Sequence, residues 1–320
     1  MNYKNESDIL RKKKILGTAA GFGWSFVRLV FLAGISYLIF YPLIFCLSIS
    51  IRQPNDMFDP SVVWLPKNLT LDNFKFVFTK TDFVPAFWRT SGMTLLCSVL
   101  QTIVCAITGY GFARFKFKGR NLLFICALLT FIVPPQIISM PLYIQYANIT
   151  NITAEMFGGE GLQIINTIIP ITISALMGQG LKAGLFIYLY RQSYKSMPKE
   201  LEDAAYLDGC GPIRAFTDIM LINSAPIMLV TFLLSFVWYW NDYISTSLFF
   251  NKSQPLSSML LRLQSVLMAT QKENGFAYNE IERTVYTITG CLIFIAVPII
   301  IYTFLQKKFT ESLMSTSIVG

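Results

Sequence analysis

The chain has 320 residues, 54% apolar and only 14% charged, with a mean hydropathy of +0.53. A soluble domain carries about a quarter charged residues, so this is the composition of a membrane protein. The formal net charge is +8 and there is no histidine, which excludes histidine-based acid–base catalysis and histidine metal sites.

In chain order, residues 1–23 form a basic, polar arm that includes Arg11-Lys12-Lys13-Lys14. The uncharged run 29–51 is too long for a signal-peptide core and lacks a small-residue cleavage site. It is expected to stay in the protein as a transmembrane helix. Residues 52–88 carry Pro54, Pro60, Pro66 and Pro85 and are expected to make an external loop. Uncharged runs recur at 90–113, 121–144, 165–181 (extending to Tyr190), 219–241 and 284–306. Each is near the roughly 20 residues that cross a bilayer. The expected fold is therefore all-α: a six-helix transmembrane domain over 24–306, with 307–320 as a tail.

Charge sets the orientation. On the side of the termini the segments hold 15 cations and 8 acids, whereas the other side holds nine of each. Lys and Arg concentrate on the cytoplasmic side, so both termini and the 192–222 loop are expected there. The net basicity reports topology, not nucleic-acid binding. The six cysteines contain no Cys-x-x-Cys pair, and all but Cys210 lie in apolar runs, as expected of buried free thiols.

One polar, carboxylate-rich stretch is set between two long apolar runs, from Ser196 to Pro226. Pro198 suits a helix start, and Glu200, Glu202 and Asp203 complement the positive end of the helix dipole. Leu201, Ala204 and Ala205 recur at helical spacing, giving one small apolar face, and Gly209 is a natural left-handed stop. A short amphipathic helix with so little apolar surface is suited to docking against something else.

This stretch resembles the cytoplasmic "EAA" loop of permease subunits in ATP-binding-cassette importers. Asp203-Ala204-Ala205, Gly209, Ile219 and Leu221 keep the spacing of that loop, with Asp203 in place of Glu and Ile222 in place of Pro. Other segments resemble the carbohydrate-importing, maltose-permease-like branch. They are Asn68-Leu69-Thr70-Leu71-Asp72-Asn73-Phe74, the 109–120 helix exit, Pro134-Pro135, Pro141-Leu142-Tyr143 and Trp240-Asn241-Asp242-Tyr243. Phe309, Leu313 and Gly320 match the family's ending, whereas 315–319 depart from it. Residues 146–164 look longer than the family norm and are assigned no role.

The resemblance implies a sugar permease in the bacterial plasma membrane, embedded in lipid. Its partners would be a second, different permease, two ATPase subunits and an extracytoplasmic solute-binding protein. ATP and Mg would bind the ATPases, since this chain has no Gly-x-x-x-x-Gly-Lys-[Ser/Thr] loop. The resemblance places ATPase coupling on Glu200, Leu201, Glu202, Asp203, Ala204, Ala205, Leu207, Asp208 and Gly209, with the three carboxylates expected to meet a cationic groove. No catalytic or metal-binding residue is expected.

Charges inside or beside apolar spans are costly and point to function. Arg28 lies near the inner surface, where it is expected to snorkel. Lys182 stands eight residues before Arg191, and two readings are open: reaching the inner interface, or lining the transport path. Asp242 falls near the outer end of its span, too far in depth to pair with Lys182. Trp238, Trp240 and Tyr243 are either an interfacial belt or, with Asn241 and Asp242, a sugar-facing cluster. A self-sufficient secondary transporter is the other class. It would show paired halves and a coupling carboxylate near the midplane, and neither is evident.

Overall fold

The computed structural model describes residues 3–53, 56–57, 59, 66–157, 159, 161–252, 254–274 and 279–317; side chains are not described for 3–22, 270–274 and 308–317. The end of the family-like tail, 318–320, lies outside the described residues. Every regular element among the described residues is helical, and the expected all-α class holds.

Residues 1–74 form one unit. Its long helix α1 (Tyr3–Ser50) takes in the basic arm, which is helical from Tyr3 rather than a separate element. From residue 23 this helix is apolar, and its side chains are mostly exposed up to residue 47, as suits a lipid-facing span. The Asn68–Phe74 segment is tied back to the end of α1. Asn73 donates to the Ser50 and Arg52 carbonyls at 2.9 and 2.8 Å, and Asn68 donates twice to Asp56 at 2.9 and 3.0 Å. The two asparagines of that motif are thus hydrogen-bonding staples that give the loop its shape.

The second unit, 75–320, begins within α2 (Asp72–Lys80). Then follow α3 (Phe83–Arg114), α4 (Arg120–Ile132), α5 (Pro135–Phe157), α6 (Ile169–Leu176), α7 (Ala183–Ser196) and α8 (Glu200–Leu207). The rest comprises α9 (Pro212–Arg214), a π-helical segment Ala215–Met220, α10 (Leu221–Asn223), α11 (Ala225–Trp240), α12 (Ile244–Phe249), α13 (Leu256–Asn274) and α14 (Glu280–Ser317). Helix α3 is the axis of this unit, packing against α6, α7, α11 and α13. Cys105, Tyr110, Phe186, Tyr190 and Tyr194 fill the core at one end of α3; Val77, Phe83, Ala86 and Trp240 fill it at the other.

Among the described residues three helices, Gly23–Ser50, Phe83–Arg114 and Glu280–Lys307, are long and apolar enough to cross a membrane. Two bent pairs raise the number to as many as five. Helices α4 and α5 meet at 98° around Val133-Pro134, and the segments before and after Ser224 meet at 75°. Prolines explain both bends: Pro134 and Pro135 cannot continue the ladder of α4, and Pro226 opens α11. The expected span at 165–190 is broken instead. Helix α6 has 8 residues, α7 has 14, and 177–182 between them are not helical.

Gly180 and Gly184 are four residues apart, a spacing that would put them on one helix face, but the break separates them. Gly184 lies on α7, where an added Cβ would fall 2.3 Å from the Ala127 carbonyl of α4, so this close helix approach requires glycine. All six cysteines are free, as expected. Cys97 and Cys105 are buried, but Cys126 is exposed, because it projects from the outer face of α4.

Candidate functional site

Helix α8 is positioned by its sequence in a way the spacing only partly reveals. Its N-terminus carries Glu200, Glu202 and Asp203, and the N–H groups of Glu202 and Asp203 both donate to the Lys199 carbonyl. The C-terminus closes as a Schellman motif: Cys210 N–H donates to Ala205 O at 2.9 Å and Gly209 N–H to Tyr206 O at 3.1 Å. Gly209 adopts φ +82°, the left-handed conformation expected of it.

The face turned to the protein is Glu202 and Ala205, three residues apart, and not the Leu201–Ala204–Ala205 stripe. Ala205 is buried, whereas Ala204 and Leu201 are exposed. Glu202 corrects the expectation that all three carboxylates look outward. Its side chain is 9% exposed, lies 2.8 Å from Arg114 Nε through Oε2, and accepts the Tyr110 hydroxyl at 2.6 Å on Oε1. The contact with Nε is a charge contact, not an aligned hydrogen bond, and Arg114 Nη2 donates separately to Met197 O at 2.9 Å. A buried carboxylate needs a cation, and the end of α3 supplies one. Glu202 is therefore a strut from α8 to α3.

The opposite face is open. Glu200, Asp203, Ala204 and Asp208 are exposed, and the apolar side chains Leu207 and Ile213 are 89% and 80% exposed. The π-helical segment that follows packs back against α8, burying Ala215 and Met220. Ile219 and Leu221 are half-buried there, Leu221 against the core.

The break between α6 and α7 creates the second site, a cavity of about 240 Å³. Its wall includes Gln179, Gly180, Leu181 and Lys182 from the break, Phe131 and Ser139 from the bent α4–α5 pair, and Tyr239, Asp242 and Ser245. The break is tied to α3: Gln101 Nε2 donates to Leu181 O at 2.6 Å, and the Tyr239 hydroxyl donates to Gln101 Oε1. Gln101 is fully buried, so its amide is committed to this work.

Several expectations change here. Lys182 stands just before α7 at φ +60°, with Nζ 4.8 Å from the Phe131 ring centroid and 5.1 Å from that of Trp238. Asp242 and Lys182 both line this cavity and form no ion pair with each other. Trp240 is 0% exposed and donates Nε1–H to Phe294 O at 3.1 Å, so it is core and not sugar-facing. Asn241 is exposed, with its amide donating to Val237 O at 2.9 Å, and does not line the cavity. Trp238 reaches it only through Lys182. Gln101 and Tyr239 were missed, although Gln101 is the one side-chain amide in the uncharged run 90–113, the signal that singles it out.

Replacing Gln101 by leucine removes both of its hydrogen bonds and leaves Leu181 O without a donor. The expected result is a loss of about 1–3 kcal/mol in thermal unfolding of the detergent-solubilised protein. Unchanged melting would show that α3 does not hold the break.

The family of "Binding-protein-dependent transport system inner membrane component" proteins matches residues 101–314. Over 294 residues the chain is 25% identical to the arabinooligosaccharides transport system permease protein AraQ of Halalkalibacterium halodurans, covering 90% of this chain and 94% of that one. Over 288 residues it is 28% identical to the maltodextrin transport system permease protein MdxG of Bacillus subtilis, covering 89% and 92%. The fold is similar to a chain in the crystal structure of a bacterial ABC transporter involved in the import of the acidic polysaccharide alginate. There the TM-score is 0.67 at 19% identity, over 89% of this chain and 96% of that one. The matched 101–314 segment contains α8, its glycine stop and the broken helix. The chain belongs to the binding-protein-dependent transport system inner membrane component family, and is a multi-pass transport subunit rather than an enzyme.

Proposed function

We propose that the chain is one permease subunit of an ATP-driven bacterial importer for an oligosaccharide or related glycoside. It lies in the plasma membrane with six spans and both termini in the cytoplasm. A second, different permease completes the path, two ATPase copies bind ATP and Mg, and an external solute-binding protein delivers the sugar. The relatives named for arabinooligosaccharides and maltodextrin support the substrate class. The fourth of these spans in chain order is the broken α6–α7 segment, whose two short helices together cover the length that the sequence assigns to it.

One observation carries the coupling role: α8 is anchored inward through Glu202 while Leu207, Ile213, Asp203 and Ala204 face outward. Exposed apolar side chains beside carboxylates suit a protein partner. Closure of the ATPase pair would then displace α8, and the strut would pass that displacement to α3.

Purification of the chain from cells expressing the whole transporter should bring the ATPase with it, and this complex should hydrolyse ATP and take up oligosaccharide. Robust hydrolysis by the chain alone would overturn the assignment. The orientation has its own test. Cys210, half-buried just after α8, should react with a polar, membrane-impermeant maleimide only when the reagent reaches the cytoplasmic face. Cys126 projects from an apolar helix and should stay unlabelled. Labelling of Cys210 in intact cells would reverse the proposed topology.

A further inference from the structure

The ends of α4 and α7 that the proposed orientation places in the cytoplasm bring three cations together. The two helices pack against each other. Gly184 of α7 abuts Ala127 and Phe131 of α4, whereas Arg191 abuts Phe124, so the helices run in opposite directions. The Arg191 guanidinium carbon lies 4.0 Å from the Phe124 ring centroid, which holds this cation against α4. Arg120 stands one turn before Phe124 on the same face of α4, and Lys195 one turn after Arg191 on α7. The opposed directions therefore carry Arg120 and Lys195 to the same end of the helix pair.

The three charges act on one another. Burial, and after it the charge of Arg120, lowers the pKa of Arg191; burial, then Arg191 and Arg120, lowers that of Lys195. The one group that acts in the opposite sense is the Tyr188 phenol, and no carboxylate does. None of the three cations forms an ion pair among the described residues. Arg191 makes no hydrogen bond there either, and of its nitrogens only Nε is sealed from solvent, so the terminal ones are open. Lys195 is exposed, and half-buried Arg120 spends one N–H on Phe115 O at 3.2 Å. Like charges one turn apart are unfavourable, so this cluster is complete only with an anion from outside the chain.

Apolar surface begins where the cations end. Phe117 and Leu122 line a cup of about 260 Å³ together with Arg120, and Leu123 follows Arg120 by three residues. Leu122 and Leu123 are 66% and 52% exposed, and exposed Ile125 and Leu129 continue the apolar surface along α4. A soluble anion would use the charge and leave that surface bare. A zwitterionic lipid would bring a second cation to the cluster. A lipid with a net negative head uses both the charge and the apolar side chains, and basic pockets between spans on the cytoplasmic side suit such heads. Arginine matches phosphate oxygens two at a time, which suits Arg120 and Arg191 to the head itself.

We infer that Arg120, Arg191 and Lys195 bind the phosphate head of an anionic phospholipid of the cytoplasmic leaflet, whose acyl chains lie along the exposed apolar side chains of α4. The proposed orientation enters only through the choice of leaflet, and the nature of the sugar does not enter.

The test uses the whole transporter in detergent micelles with equal amounts of phosphatidylglycerol and phosphatidylcholine. It is washed at about 1 M salt, where exposed charges are screened within about 3 Å, and the retained lipid is extracted and counted by mass spectrometry. The wild type should retain phosphatidylglycerol in preference to phosphatidylcholine. Arg120→Gln/Lys195→Gln leaves the Arg191–Phe124 contact in place. Its preference should fall at least about tenfold, since each cation near an anionic head is worth roughly fivefold. Lys118→Gln/Lys199→Gln removes the same charge from exposed positions on the same side and should keep the wild-type ratio. A wild type without preference, or two double variants that lose it alike, would reduce the cluster to diffuse attraction and overturn the site. Release of phosphatidylglycerol by excess inorganic phosphate would show that a free anion suffices and overturn the lipid. Loss of preference that comes only with loss of the second permease or the ATPase, or with lowered melting temperature, would mark a protein contact or a structural role and overturn it too. Co-purification of the ATPase with the wild type tests the importer separately.

Discussion

Replacing Glu202 by alanine is expected to destabilise the protein by about 3–5 kcal/mol, because it strands the Arg114 guanidinium in a buried site. The side chains of both partners are only 9% exposed, so water cannot take over the lost charge contact. Glu202→Gln should cost less, since an amide oxygen can still accept the Tyr110 hydroxyl. Arg114→Met combined with Glu202→Ala should recover much of the loss, because no unpaired charge then remains. Thermal and denaturant unfolding in detergent would read these differences. A Glu202→Ala variant that melts with the wild type would show that the strut contributes nothing. Uptake should fall further than stability alone accounts for, since α8 would no longer be tied to α3.

That tie matters because α3 carries both sites. Tyr110 and Arg114 hold α8 at one end, and Gln101, nine residues before Tyr110, holds the broken helix. At 1.5 Å per residue these points are about 13 Å apart on one rigid rod. A displacement of α8 therefore reaches the Leu181 carbonyl without passing through a loop. Gln101→Leu should cut this link at its far end, so ATP hydrolysis would continue while uptake falls.

The parts legible in the sequence were those with local causes. Gly209 announced a left-handed stop, and the carboxylate-rich first turn announced α8, because helix termini obey rules that span four residues. The apolar runs announced most spans. What stayed hidden depended on tertiary partners. Glu202, Asp203 and Glu200 look alike in sequence, and only the position of Arg114, 88 residues earlier, turns one of them inward. The run 165–181 looks like a single span because every residue in it is uncharged, yet its helix ends at Leu176. Trp238 and Trp240 are two residues apart, so they point away from each other on α11; one faces Lys182 and the other the core.

Reversing the charge at Asp203, on the exposed face of α8, should leave the fold intact and remove the partner. Asp203 makes no ion pair among the described residues and is open to solvent, so Asp203→Lys breaks no side-chain contact and costs the chain only the helix-dipole term, about 0.3–1 kcal/mol. Against a cationic groove on the ATPase it would replace attraction with repulsion, and a desolvated interfacial charge pair typically costs about 2–5 kcal/mol when broken. Gly209→Val should reach the same functional end by another route. An added side chain meets no atom within 4 Å there, so crowding is not the cause. The penalty comes from φ +82°, which a β-branched residue tolerates at a cost of about 1–3 kcal/mol. Relief of that strain would unwind the Schellman closure and turn Ile213 and the π-helical segment away from their present direction. Both variants should insert into the membrane and be purified without the ATPase, with oligosaccharide uptake lost. Combining Asp203→Lys with an acidic replacement in the ATPase groove should restore uptake, whereas the same replacement should do nothing for Gly209→Val. Wild-type ATPase retention and uptake in both single variants would show that α8 is not the coupling element.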